Sequence, residues 1–232
     1  MATISANLQA VRARLAAACV AAGRSASSVQ LLAVSKTWPA ARVREAVAAG
    51  QRTFGENYVQ EAIDKAAELA DLVEPGLEWH FIGPLQSNKT RAVAEHFAWV
   101  HSVDRLKIAQ RLAAQRPPGL PPLQVCIQVN VSGEASKSGC RPDQAATLGH
   151  AVAALPQLRL RGLMAIPEPD GDIQLLRSRF ARLRQLRDQL NAEGLALDTL
   201  SMGMSHDLEA AIMEGSTLLR IGTAIFGERV QL

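Results

Sequence analysis

Cysteine is scarce in this chain of 232 residues: Cys19, Cys126 and Cys140 are all it has. An odd number at wide spacing gives neither a paired disulfide framework nor a metal motif, which excludes a small crosslinked scaffold. Cys19 falls in an amphipathic stretch and Cys126 in a strand-like run, where each serves as a small apolar side chain. Long hydrophobic runs are missing too. No stretch approaches the roughly 18–20 apolar residues that span a bilayer. The first residues lack the basic start, apolar centre and small-residue cleavage pattern of a signal peptide, so the cytoplasm is the expected location. No two histidines have metal-ligand spacing, and no metal site is expected. The net charge is only +3, with arginines spread through helical patterns rather than gathered in a stripe. That leaves no nucleic-acid footprint, although it suits an anionic small ligand.

What the chain has is apolar content, 48% against 20% charged, enough for one large core. Ile4, Leu8, Val11, Leu15 and Cys19 recur at spacings of four and three, one face of a helix that Gly23 ends. Strands then alternate with helices. The strand patterns cover 31–36, 52–54, 78–82, 98–101, 123–129, 159–164, 197–200 and 218–221. Helical patterns lie between them: one starts at Pro39, and the others cover 56–72, 87–95, 104–115 with Asp104 as cap, 141–155, 172–190 and 206–214. In 172–190 the residues expected to face the core are Leu175, Leu176, Phe180, Leu183, Leu186 and Leu190. The proline-rich 116–122 reads as a loop within this series. Crossovers of this length suit parallel pairing. Eight such units predict an α/β fold, a (β/α)8 TIM barrel occupying 1–232 as a single domain with an additional N-terminal helix. An open doubly wound sheet is the alternative, but the glycine fingerprint of nucleotide folds is absent after the first strand.

In a barrel the C-terminal strand ends and the loops after them form the active face. The polar and glycine-rich segments of this chain collect there. Lys36 closes the first strand, and Asn57 and Tyr58 follow the second. His80 to Lys89 spans the third strand and its loop, and His101 to Asp104 follows the fourth. Asn130 and Lys137 follow the fifth strand and Met164 ends the sixth. The run 201–205 follows the seventh and 220–223 closes the eighth. Two chemical poles emerge. Ser201, Gly203 and Ser205, with Gly222 and Thr223 beside them, form an anion cradle of the kind barrels build after their last two strands; ordinary turns and helix caps are the plainer reading. Lys36 is the other pole. A buried ammonium is paired, close to solvent, or deprotonated, and in the last case it is a carbonyl-binding amine. Pyridoxal 5′-phosphate fits both poles, while a phosphosugar substrate or a rim ion pair remain alternatives. Arg220, inside an apolar run, needs a definite partner, either a pyridine nitrogen or a salt bridge. His80 reads as a hydrogen-bonded interior residue. Lys89 and Lys137 read as solvated lysines, or as lysines that take the cofactor in turn during its release.

Long blocks now carry a resemblance: AVSKTWP at 33–39, FGENYVQE at 54–61, WHFIGPLQSNK at 79–89, QVNVSGEASKSG at 128–139, GLMAIP at 162–167, LSMGMSHDLEAAI at 200–212 and GSTLLRIGTAIFGER at 215–229. In these the chain resembles the pyridoxal phosphate homeostasis proteins, a family similar to the N-terminal barrel domain of alanine racemase. The resemblance covers nearly the whole chain in order. It implies pyridoxal 5′-phosphate bound as an imine to Lys36 and phosphate contacts from the segments of Ser201, Met202, Gly222 and Thr223. It also implies Arg220 near the pyridine nitrogen. From their place on the active face, Asn57 and His80 are counted in the cofactor-binding set, and Lys89 and Lys137 as candidate secondary contacts. The function implied is intracellular cofactor supply, with effects on amino-acid balance and with cofactor-requiring acceptor enzymes as partners. A racemase or lyase acting on an amino acid is the alternative. Alanine racemase adds a C-terminal domain and a catalytic tyrosine; here about ten residues follow Arg220, and the one tyrosine, Tyr58, lies in the second block. No clear turnover, and a monomer, are the resulting expectations.

Overall fold

In the computed structural model, residues 3–72, 76–133, 138–168 and 170–228 are described; Lys137, expected as a secondary contact, lies outside them. Helix α1 (Ile4–Ala21) leads into β1 (Gln30–Val34), α2 (Ala40–Ala48), β2 (Thr53–Glu56), α3 (Val59–Glu68), β3 (Glu78–Phe81), α4 (Thr90–His96) and β4 (Trp99–Val103). The alternation continues through α5 (Leu106–Gln115), β5 (Leu123–Gln128), α6 (Ala145–Ala153), β6 (Leu158–Met164), α7 (Ile173–Ala192), β7 (Thr199–Ser201), α8 (Leu208–Met213), β8 (Leu218–Ile221) and α9 (Thr223–Phe226). Among the described residues the eight strands pair in parallel in chain order, and β8 returns to β1 with Leu32 opposite Arg220. The sheet is therefore a closed barrel, and the open-sheet alternative is excluded.

Alternation along each strand divides the core in two. Leu31, Ala33, Phe54, Phe81, Val100, Leu200, Leu219 and Ile221 point outward into the layer beneath the helices. Their neighbours point into the barrel, where Leu32, Val34, Ile82 and Leu218 form one small cluster and Trp99, Cys126 and Met164 another. Close strand approach has its own sequence requirement. A Cβ on Gly162 would stand 1.8 Å from the Thr199 carbonyl oxygen, so β6 and β7 meet as they do only because that residue is glycine. The expected apolar face of α1 is buried, and Thr3 caps its start by accepting from the Ala6 N–H at 3.2 Å. This helix packs where the chain closes: the Asn7 side chain donates to the Ile225 carbonyl at 2.8 Å, and Arg24 donates to the Ile212 carbonyl.

Several boundaries differ from expectation for local reasons. β1 stops at Val34, so Lys36 stands in the following turn rather than closing the strand. α3 starts at Val59, because Glu56 is the last residue of β2 and is buried. Asp104 does not cap α5; the cap position is Arg105, and the Asp104 carboxylate instead pairs with that guanidinium at 2.8 Å. Leu175 sits in the first turn of α7 and is 40% exposed, whereas Leu176, Phe180, Leu183 and Leu190 are buried.

Candidate functional site

A cleft of about 200 Å³ opens at the C-terminal strand ends, lined by Val34, Lys36, Asn57, Ile82, Ile166, Met204, Ser205, His206, Arg220, Gly222 and Thr223. It brings together six of the expected residues: Lys36, Asn57, Ser205, Arg220, Gly222 and Thr223. A larger groove of about 420 Å³ runs outside the barrel between α6 and α7 and contains no strand-end residue.

Lys36 is held in place by its neighbours. Ser35 donates its hydroxyl to Glu56 Oε1 at 2.7 Å, and its carbonyl accepts from Lys65 Nζ at 2.7 Å. Lys65 Nζ also reaches Glu56 Oε1 at 2.8 Å and Glu61 Oε1 at 2.6 Å. The same Glu61 oxygen accepts from the Thr37 N–H. One buried ammonium between two carboxylates thus grips the residues on both sides of Lys36. The grip holds Thr37 at φ +67, a left-handed conformation that a β-branched residue rarely adopts. Burial pushes the Glu56 carboxyl pKa up, while Lys65 acts in the opposite direction.

Asn57 owes its place to Gly83, since a Cβ there would lie 2.5 Å from the Asn57 carbonyl oxygen. The Asn57 Oδ1 is buried without a hydrogen-bond partner. Across the cleft, Ser205 Oγ accepts from the Ala224 N–H at 3.3 Å and ties the loop after β7 to the start of α9. Gly203 makes that loop possible. It has φ +99, and a Cβ would meet Ala211 and Leu219 side chains at 2.6 Å. Gly222 lies against β1, where a Cβ would be 3.3 Å from the Val34 carbonyl oxygen.

Arg220 is 4% exposed and donates to Ser201 O at 2.6 Å, Ser201 Oγ at 2.7 Å and Ala165 O at 2.9 Å. All three acceptors are uncharged, so the structure shows no salt bridge for this guanidinium among the described residues. Burial pulls its pKa down to about 10, and it stays charged at neutral pH. Behind it, His101 Nδ1 lies 2.7 Å from Ser201 Oγ, His101 Nε2 lies 2.9 Å from His80 Nδ1, and His80 Nε2 lies 2.8 Å from Glu78 Oε1. The His80 ring stacks on Trp99 with centroids 5.2 Å apart. Burial lowers the pKa of both imidazoles, and the His80 hydrogen bond lowers that of Glu78.

Four expected residues stand elsewhere. Ser201 is the last residue of β7 and points into the barrel beneath Arg220; the serine that lines the cleft is Ser205. Met202 is one position on, fully buried in the outer layer with Leu200. His80 lies inside the barrel, three hydrogen bonds away from Arg220. Lys89 ends the short 3-10 turn Ser87–Lys89 and does not line the cleft. The Glu56–Lys65–Glu61 cluster had no expectation attached; its one sequence signal is the Glu61, Lys65 spacing of four on a helix.

The family described as alanine racemase, N-terminal domain, matches residues 4–230. The chain is 67% identical over 229 residues to the pyridoxal phosphate homeostasis protein of Pseudomonas aeruginosa, covering 99% of this chain and 97% of that one. Identity to the Escherichia coli protein of the same name is 56%, covering 97% of each. Among solved structures, PipY of Synechococcus elongatus with PLP bound is 42% identical and superposes with a TM-score of 0.85 over 97% of this chain and 100% of its own. Alanine racemase of Corynebacterium glutamicum superposes with a TM-score of 0.66 at 16% identity, over 97% of this chain and 62% of its own, a likeness of fold alone.

Proposed function

The chain belongs to the pyridoxal phosphate homeostasis proteins, within the alanine racemase N-terminal-domain family, and from that premise we propose that it binds pyridoxal 5′-phosphate covalently on Lys36 and acts in the supply of that cofactor. The observation that carries this reading is the convergence of Lys36, Asn57, Arg220, Gly222 and Thr223 on one cleft. Two features of the cleft fit the group. Among the described residues, Arg220 brings a buried positive charge with no carboxylate in contact, and Asn57 keeps a buried oxygen without a partner.

When bound, pyridoxal phosphate supplies an aldehyde that condenses with a neutral lysine amine and releases one water. The chain's own groups do the rest. Ser205, Gly222 and Thr223 offer hydroxyls and backbone N–H groups to the phosphate, whereas Ser201, expected in the same cradle, takes no part in it. Arg220 only donates hydrogen bonds, so a ring nitrogen facing it remains an unprotonated acceptor. An unprotonated ring is a weak electron sink, which favours holding and releasing the cofactor over turning over a substrate. We place the whole of this binding unit in the single barrel and its α1 helix. Among the described residues no helix is long and apolar enough to cross a membrane. Enzymes that require pyridoxal phosphate are the proposed recipients.

A second reading, a racemase or lyase acting on an amino acid, has one observation in its favour: His206 lines the cleft and can supply a second acid–base group. The test is absorption spectroscopy of the protein with pyridoxal phosphate, before and after borohydride reduction, followed by peptide mapping. The expected result is a visible band that reduction fixes onto Lys36. Absence of a band, or label on another lysine, refutes the Lys36 site. Solvent exchange of an added amino acid's α-proton at turnover rates establishes the second reading.

A further inference from the structure

Glu78 and Arg220 sit at opposite ends of one continuous hydrogen-bonded chain. Glu78 opens β3, with 42% of its side-chain surface exposed; Arg220 lines the cleft beyond the other strand ends. Between them stand His80, His101 and Ser201, all closed to solvent. The four links measure 2.8, 2.9, 2.7 and 2.7 Å from Glu78 to Arg220.

The two ends are chemically unlike. A guanidinium only donates and a carboxylate only accepts, whereas a neutral imidazole has one nitrogen of each kind. Since Glu78 accepts, His80 must donate from Nε2 and accept at Nδ1. His101 must then donate from Nε2 and accept at Nδ1. Ser201 must give its single proton to His101, which leaves its oxygen lone pairs for Arg220. With neutral imidazoles, this one arrangement satisfies all four links.

We propose that Glu78, His80 and His101 are positioning residues, a one-way relay that holds the Ser201 hydroxyl as an acceptor and so seats the Arg220 guanidinium in the cleft. A second proton on His80 reverses the chain: His80 donates at Nδ1, His101 turns its donor toward Ser201, and Ser201 then faces donors on both sides. Burial holds both imidazoles away from that state. Among the described residues, the other charged or titratable groups beside the relay are Arg161, over the Trp99 ring at 4.9 Å and paired with Asp198, and Asp207 and Cys126, which act on Arg220 through space. The effect on a ligand rests on the pyridoxal phosphate reading of the cleft, because the seat of Arg220 sets the charge that faces the ring nitrogen.

Two measurements test the relay, and the first needs no ligand. Nitrogen-15 NMR of the labelled wild-type protein at neutral pH should show His80 and His101 both neutral, with the proton on Nε2. An imidazolium, or a proton on Nδ1 of either residue, overturns the proposal. The second compares the visible band of bound pyridoxal phosphate in His101→Phe and His101→Gln. Phenylalanine removes the acceptor for Ser201, and the pH midpoint of the band should move by about one unit, a tenfold change in proton affinity. Glutamine can accept from Ser201 and donate to His80, and should bring the midpoint back. A wild-type midpoint in folded His101→Phe overturns the relay. If His101→Phe does not fold, the wild-type tautomers decide. Failure of the wild-type protein to form any band counts against the cofactor reading alone, and the tautomers again decide the relay.

Discussion

Acidification should destabilise this protein through its two interior histidines, before most carboxylates titrate. Both His80 and His101 have pKa values lowered by burial, His101 well below the ordinary value. A base whose folded pKa is lowered contributes stability above its unfolded pKa, near 6.5, and loses it as pH falls toward the folded value. Between pH 7.5 and 5 the unfolded chain takes up a proton at each position while the native barrel resists. The loss is at most about 2 kcal/mol for each histidine that stays neutral. For a chain of this size that corresponds to a fall in Tm of about 4–8 °C per histidine. Glu56 acts with the opposite sign: its raised pKa adds stability as pH falls through that value toward its unfolded one. A difference experiment cancels this term. His101→Gln retains a donor and an acceptor but does not titrate. Urea unfolding of wild type and variant at pH 7.5 and 5 should show the wild type losing up to about 2 kcal/mol more. Equal losses in the two proteins would refute the claim that His101 is held neutral by the fold.

Lys65→Met leaves Glu56 buried without its cation and should cost about 3–5 kcal/mol, with much of it recovered in Lys65→Met/Glu56→Gln; urea unfolding that finds the single and double variants equally unstable contradicts the role given to the buried pair. Arg220→Gln should alter the spectrum of bound pyridoxal phosphate while melting stays cooperative, and an unchanged spectrum would remove Arg220 from the ring. Lys36→Ala should abolish the borohydride-fixed label yet keep weaker, noncovalent binding, measurable by equilibrium dialysis. Gly162→Ala forces β6 and β7 apart and should lower stability by at least about 1–3 kcal/mol, read from the shift in unfolding midpoint.

Most of the architecture was legible because strand and helix patterns alternate with different periods, and the unusual residues fall at strand ends. Lys36, Asn57, Arg220, Gly222 and Thr223 could be placed on one face from topology alone. Side-chain direction at the end of β7 could not. Alternation turns Ser201 inward and Met202 outward, so the cleft is reached only at Met204 and Ser205 after the turn at Gly203. A shift of one or two residues in a strand end exchanges facing sides, and single-sequence patterns do not fix boundaries that finely. Lys65 was hidden for another reason. A lysine in a helical pattern reads as solvent-facing, and its burial depends on Glu56 arriving from β2 and Ser35 from the segment just after β1. His80 and His101 were each visible, but their pairing depends on the inward faces of β3 and β4, which only the register supplies.

The closure of β8 on β1 has a consequence for the timing of assembly. The Asn7–Ile225 contact spans 218 positions, and the amine of the cleft comes from the turn after the first strand while its guanidinium comes from the last strand. During synthesis Lys36 emerges early, when neither Arg220 nor the Gly222 turn yet exists to complete the cleft. On the Lys36 site proposed above, capture of a reactive aldehyde would become competent only when the ring of strands has joined, which would make the site a checkpoint on its own completion. A chain stopped before β8 should neither melt cooperatively nor acquire the borohydride-fixed label; labelling equal to that of the full chain would show that the amine acts without the ring.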